Sequence, residues 1–311
     1  MIHKIGLIGY GHMGKNHARV INKNEDAELV GIYDEKSESM PKKVAHIFNS
    51  LEEIISNSDT LVISTPTISH SEILKLCIEN NKNALIEKPI STNLNEIIKI
   101  KELISNSENF YKVGLLEKFN PAVNYLSENK IEDIEHISIK RLSPSNQTNR
   151  NSDHVLMDLT IHDFSILTKI LKEKFVDIDF DFFFKESDPE NHVDIIGATK
   201  NFNVLISTSK IYHKKIRSIE ITTRNETYIA NLINNSVEII SNNEISFLAQ
   251  ENNYGHVENT QTSFPVIENI EPLVTQLKYF LNEIDNGNIK KNHKEFNTDI
   301  ELHSYLLKQI K

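Results

Sequence analysis

The chain has 311 residues, enough for two hydrophobic cores, with 39% hydrophobic and 25% charged residues, as in an ordinary globular protein. Its formal net charge of −10 argues against general binding to nucleic acid or to an anionic membrane surface. A single cysteine, Cys77, excludes an internal disulfide framework, and no apolar run approaches the roughly 18 residues of a membrane span. With no basic leader or cleavage pattern before the first strand, a cytoplasmic location is expected.

The first apolar run, Ile5 to Ile8, reads as a buried parallel strand. It leads directly into Gly9, Gly11 and Gly14, spaced GxGxxG, and then into a helical pattern over Met13–Asn22. Gly9 allows the tight turn, Gly11 lets the backbone approach a pyrophosphate, and Gly14 lets the helix pack on the strand. The helix would direct its free N–H groups at the phosphates. A second apolar run, Leu29–Tyr33, ends at Asp34, 20 residues after Gly14. A carboxylate there can accept both ribose hydroxyls of a dinucleotide. It also selects against a 2′-phosphate, because like charges about 4 Å apart cost about 4 kcal/mol at an effective dielectric of 20. NAD is therefore expected over NADP.

Strand candidates continue at 45–48, 60–64, 84–86 and 111–115, alternating with helical patterns at 51–57, 69–80 and 94–105. Such βα alternation predicts a doubly wound parallel sheet that binds ligands at the carboxyl ends of its strands. Two of those ends carry candidate residues. One is Ser64-Thr65-Pro66 with His70 following and Ser69 as a candidate helix cap. The other is Glu87-Lys88-Pro89, which puts an ammonium at the rim of a cofactor crevice. Each has an ordinary alternative, a connecting loop or a solvated lysine. After residue 118 the pattern changes. Asn120 and Pro121 fit the cap and first turn of a short helix. Strand patterns follow at 134–142, 175–184, 193–199, 203–212, 216–223 and 227–232, then helical patterns at 272–284 and 299–310. The expectation is a Rossmann domain over 1–118 and an α+β substrate-binding and oligomerisation domain over 119–311. The second is built on an open, mainly antiparallel sheet through which a homo-dimer or homo-tetramer would form.

The other chemistry-bearing stretch is Met157-Asp158-Leu-Thr-Ile-His162-Asp163. On an α-helix Asp158 and His162 share a face, and an imidazole held by a carboxylate is a competent proton acceptor near neutral pH. A helix-end charge cluster is the alternative. No third ligand stands at a familiar metal spacing, so no metal is expected.

Taken together, GYGHMG at 9–14, STPTISH at 64–70, EKP at 87–89 and DLTIHD at 158–163 resemble the glucose–fructose oxidoreductase / inositol dehydrogenase / rhizopine-catabolism (Gfo/Idh/MocA) family of NAD(P)-dependent oxidoreductases. GLLEKFNPAV at 114–123, RLSP at 141–144 and EPLVTQLKYFL at 271–281 resemble the branch that oxidises the 3-hydroxyl of UDP-N-acetylglucosamine. The chain departs from that branch at Lys118, usually arginine, and at Ser165, usually an acid. The resemblance implies a Rossmann fold with NAD contacted by Gly9, Tyr10, Gly11, His12, Met13, Gly14, Asp34, Thr65, Pro66, His70, Glu87 and Lys88. It also implies a sugar or nucleotide-sugar substrate met by Lys88, Asn120, Asp158 and His162. Lys88 would polarise the reacting hydroxyl, His162 would take its proton as hydride leaves for the nicotinamide, and Asp158 would orient His162. Arg141 and Arg150 are candidates for a substrate diphosphate, since a guanidinium fork suits phosphate oxygens.

Overall fold

The structure is a computed structural model, and it describes residues 2–35, 46–144, 154–250 and 253–310. The chain divides into two compact units, one of residues 1–116 with 271–311 and one of residues 117–270.

In the first unit five parallel strands lie in the order β2-β1-β3-β4-β5: β1 (His3–Ile8), β2 (Ala27–Tyr33), β3 (Thr60–Ile63), β4 (Asn83–Glu87) and β5 (Tyr111–Gly114). Every residue of β3 is buried, as expected for a strand covered on both faces. Helices α1 (His12–Ile21), α2 (Leu51–Asn57), α3 (His70–Glu79) and α4 (Leu94–Ser105) connect the strands. Ser50 caps α2 by accepting from the Glu53 amide at 3.2 Å, and Asn93 caps α4 by accepting from the Asn95 amide at 2.9 Å. The predicted strand at 45–48 is reduced to a single bridge between Ile47 and Ile32, and its first residue lies outside the described segments.

The last two helices correct the expected domain division. Helices α7 (Pro272–Asn286) and α8 (Ile289–Leu307) belong to the first unit, not to the second. Leu273, Leu277, Phe280 and Leu281 of α7 share one core with Ile5, Leu7, Val20, Ile21 and Val62. Asn292 Oδ1 accepts from the Tyr111 amide at 2.9 Å, and Glu295 meets the buried Lys112 ammonium at 2.6 Å. Gly287, at φ 67°, supplies the left-handed turn that ends α7.

The second unit, residues 117–270, carries an eight-stranded sheet in the order β13-β12-β11-β10-β6-β9-β8-β7. The strands are β6 (Ile134–Leu142), β7 (Asp179–Phe184), β8 (His192–Ala198), β9 (Asn203–Ser209), β10 (Ile216–Thr223), β11 (Glu226–Asn231), β12 (Ser236–Gln250) and β13 (Asn253–Ser263). All neighbours are antiparallel except β6 and β9, which run parallel. The last two strands were not foreseen. The predicted 175–184 strand shortens to β7 because Lys172–Asp177 form a 3-10 helix. One sheet face is lined by Ile137, Ile139, Val193, Ile195, Val204, Ile206, Ile219 and Ile221, all buried. Helices α5 (Pro121–Glu128) and α6 (Ile161–Leu171) complete the unit. Alternate positions leave Phe183, Ile196 and Leu205 exposed, as the two-residue period of a strand requires.

Candidate active site

In the first unit the turn after β1 is built from backbone contacts. Gly9 stands at φ +91°, and a Cβ there would lie 2.7 Å from the Ser64 carbonyl carbon and the Thr65 nitrogen. Ser64 donates its hydroxyl to the Gly9 carbonyl at 2.8 Å, and the Gly9 amide donates to the Tyr33 carbonyl at 2.8 Å. A Cβ on Gly14 would sit 2.1 Å from the Gly9 oxygen, whereas one on Gly11 would meet nothing within 4 Å. The loop is therefore packed below and open above Gly11, where His12 and Met13 begin α1. Asp34 Oδ2 accepts from the Tyr10 amide at 2.6 Å, which ties the acid at the end of β2 to the glycine loop. These residues fit a dinucleotide. Gly14→Ala must displace the Gly9 backbone, and it is expected to weaken NADH binding by at least about tenfold, or about 1.4 kcal/mol, in a fluorescence titration.

Two other strand ends in this unit carry predicted residues. Thr65 and Pro66 lead into a short 3-10 turn, Thr67–Ser69. Ser69 does not cap α3; its hydroxyl donates to Thr65 Oγ1 and to the Pro66 carbonyl, each at 2.9 Å. His70 is buried, with Nδ1 2.7 Å from the Pro89 carbonyl and Nε2 2.8 Å from the Thr65 carbonyl. Both ring nitrogens are thus turned to the protein's own backbone, which corrects the expectation that His70 contacts the cofactor. Glu87 likewise turns inward: its Oε1 accepts from Nε2 of the buried His17 at 2.7 Å. Lys88 follows, half-buried, and is joined to Pro89 by a cis peptide bond.

In the second unit Leu156–Thr160 form a π turn that runs into α6. The α-helical spacing assumed for Asp158 and His162 therefore holds only from residue 161 onward. Such turns occur often at functional sites. Asp158 and His162 are both half-buried. A residue not singled out from sequence meets Asp158: the buried Lys210 holds its ammonium 4.0 Å from Asp158 Oδ2. It lies one residue beyond β9, where Thr208, Ser209 and Lys210 are all buried.

Asp163, next to His162 in sequence, belongs to a buried ion cluster. Arg141 donates Nε to Asp163 Oδ1 at 2.6 Å and Nη1 to Glu117 Oε1 at 3.1 Å. Arg217 donates Nη1 to the same Glu117 oxygen at 2.7 Å, and Thr208 donates to Asp163 Oδ2 at 3.2 Å. Burial pushes the Asp163 carboxyl up from the ordinary aspartate range, against the pull of Arg141. Burial would also raise Glu117, but the charges of Arg141 and Arg217 reverse this and hold it below the usual glutamate range. Arg141 is 1% exposed and spent on these carboxylates, which corrects the expectation that it reaches a substrate diphosphate. Asn120 is also structural. Its Oδ1 caps α5 at the Ala122 amide (3.0 Å), and its Nδ2 donates to the Leu232 carbonyl (3.0 Å) and to Asn235 Oδ1 (2.9 Å). Arg150 lies outside the described residues.

Residues 3–115 match the oxidoreductase family model GFO_IDH_MocA, described as an NAD-binding Rossmann fold. Over these residues the chain is similar to the Gfo/Idh/MocA family. Among similar proteins, UDP-N-acetylglucosamine 3-dehydrogenase of Acidithiobacillus ferrooxidans is 27% identical over 183 residues, 57% of this chain and 58% of its own length. Inositol 2-dehydrogenase of Rhizobium meliloti is 27% identical over 187 residues, 56% of this chain and 57% of its own. The matches thus span less than two thirds of these relatives. A solved structure of the Acidithiobacillus ferrooxidans enzyme superposes with a TM-score of 0.79 at 19% identity, covering 99% of each chain, so the two share a fold.

Proposed function

We propose that the protein is an NAD-dependent dehydrogenase acting on a sugar CH–OH group, with C3 of UDP-N-acetylglucosamine as the favoured position. The observation that carries this is Lys88. It leaves the carboxyl end of β4, in the sheet whose first strand opens into the glycine loop, where ligands of such sheets bind. Bound NAD supplies the hydride acceptor. Lys88 hydrogen-bonds the substrate hydroxyl and favours its developing negative charge, and His162 accepts the hydroxyl proton. Asp158, paired with Lys210, orients the imidazole. Asp34 takes the ribose hydroxyls and disfavours a 2′-phosphate.

Support for the nucleotide sugar comes from the UDP-N-acetylglucosamine 3-dehydrogenase relative; the equally identical inositol dehydrogenase supports inositol as a second reading. The test is a panel of UDP-N-acetylglucosamine, N-acetylglucosamine, glucose and inositol with NAD or NADP, followed by reduced-cofactor absorbance. The nucleotide sugar with NAD is expected to give the highest kcat/KM, with NADP at least about tenfold poorer. Preference for inositol moves the assignment to the second reading. Tight NAD binding without hydride transfer to any sugar would point instead to a non-catalytic NAD sensor. The exposed row Phe183, Ile196 and Leu205 is the surface through which we expect the chain to form a homo-oligomer.

A further inference from the structure

The segment Glu87-Lys88-Pro89 is gripped from both sides by two buried histidines, each 1% exposed. On one side His17, from the helix that opens at the glycine loop, donates Nε2 to Glu87 Oε1 at 2.7 Å. On the other side His70, from α3, meets the Pro89 carbonyl at 2.7 Å and the Thr65 carbonyl at 2.8 Å. A third element closes the box around Glu87. A Cβ on Gly114 of β5 would lie 3.0 Å from Glu87 Oε2 and 3.1 Å from the Glu87 Cα, so only glycine leaves that carboxylate undisturbed. Lys88 itself is half-buried at the strand end.

A lysine stem has four rotatable bonds, and holding its ammonium at a reacting hydroxyl requires a fixed point of departure. Successive side chains on a strand leave on opposite faces, so fixing the Glu87 carboxylate sets the roll of the strand and thereby the direction in which Lys88 departs. We infer that His17 and His70 are positioning residues for Lys88. His17 does this through the Glu87 carboxylate and His70 through the Pro89 carbonyl. The inference rests on the reading of Lys88 given under Proposed function. It adds that the helix cradling the dinucleotide and the lysine meeting the substrate are mechanically one piece. His17 touches neither ligand in this scheme, and it acts only by what it does to Glu87.

The test compares His17→Phe, His17→Gln, Glu87→Gln and Lys88→Met. NADH affinity is measured by fluorescence, kcat with the best sugar of the panel, and the acylation rate of the Lys88 amine by mass spectrometry. His17→Phe keeps a flat ring but removes the donor; His17→Gln restores an N–H. The expected result is NADH affinity within about threefold of the parent for His17→Phe, with kcat lowered by about 10²-fold, the scale of an ångström of misplacement. The Lys88 acylation rate shifts severalfold while that of the exposed Lys4 does not, and His17→Gln recovers most of both changes. Unchanged NADH affinity certifies that the variants fold. If kcat and Lys88 acylation in His17→Phe and Glu87→Gln match the parent while Lys88→Met is inactive, the grip is refuted and the function stands. Parental turnover in Lys88→Met refutes the function, and with it the role assigned to the histidines. Equal damage in His17→Phe and His17→Gln refutes the donor role of His17.

Discussion

His162→Gln is expected to lower kcat by about 10² to 10⁴-fold, the usual scale of general acid–base assistance. Gln fills a similar volume and keeps an N–H donor, while the imidazole base is lost. NADH affinity is expected to stay at the parental value, because the glycine loop, Asp34 and the β3 and β4 ends all belong to the first unit. Asp158→Asn, which keeps the shape of the side chain but not its charge, should show a smaller loss of the same kind. Turnover within about threefold of the parent in His162→Gln would remove the assigned base, since proton transfer rarely contributes so little.

Arg141→Met is expected to cost about 3–5 kcal/mol of stability, the range for removing one partner of a buried ion pair. The variant leaves Asp163 without its guanidinium and Glu117 with one guanidinium partner fewer. The loss then depends on pH with a definite sign. Without Arg141 the Asp163 carboxyl, already raised by burial, rises further, and Glu117 loses one of the charges that hold it down. The folded state then binds more protons than the unfolded state, and stability increases as pH falls through that window. Urea unfolding should therefore show a larger deficit for Arg141→Met at mildly alkaline than at mildly acidic pH. A deficit that is the same at both would mean that lost packing, not unpaired charge, sets the cost.

Arg141 also shows what was legible in the sequence and what was not. Its parity was readable: Ile137, Ile139 and Arg141 recur at two-residue intervals on β6, so the arginine falls on the buried face. A buried arginine demands carboxylates, and Asp163 lies within the very motif that holds His162. Which acids would meet it was not readable, because β6, α6 and the segment at Glu117 are brought together by tertiary packing. The first βαβ unit was legible because its glycines are required by backbone geometry, at Gly9 by a left-handed φ and at Gly14 by contact with the Gly9 oxygen. The roles of His70 and Glu87 were not legible. The sequence puts both at strand ends, but whether a side chain there faces a ligand or its own backbone depends on neighbours from α1 and α3. The π turn at Leu156–Thr160 leaves no compositional mark, and the facing of Asp158 was inferred from an α-helical repeat that does not apply there.

Because α7 and α8 come back to complete the first unit's core, the dinucleotide half is a discontinuous domain with the whole of residues 117–270 inserted into it. A fragment cut after residue 118 would leave Ile5, Leu7 and Val62 without the Leu277 and Phe280 side chains that share their core. The compact piece that carries the glycine loop is residues 1–116 together with 271–311. Shortening the chain from its carboxyl end strikes the cofactor half before it reaches the eight-stranded sheet.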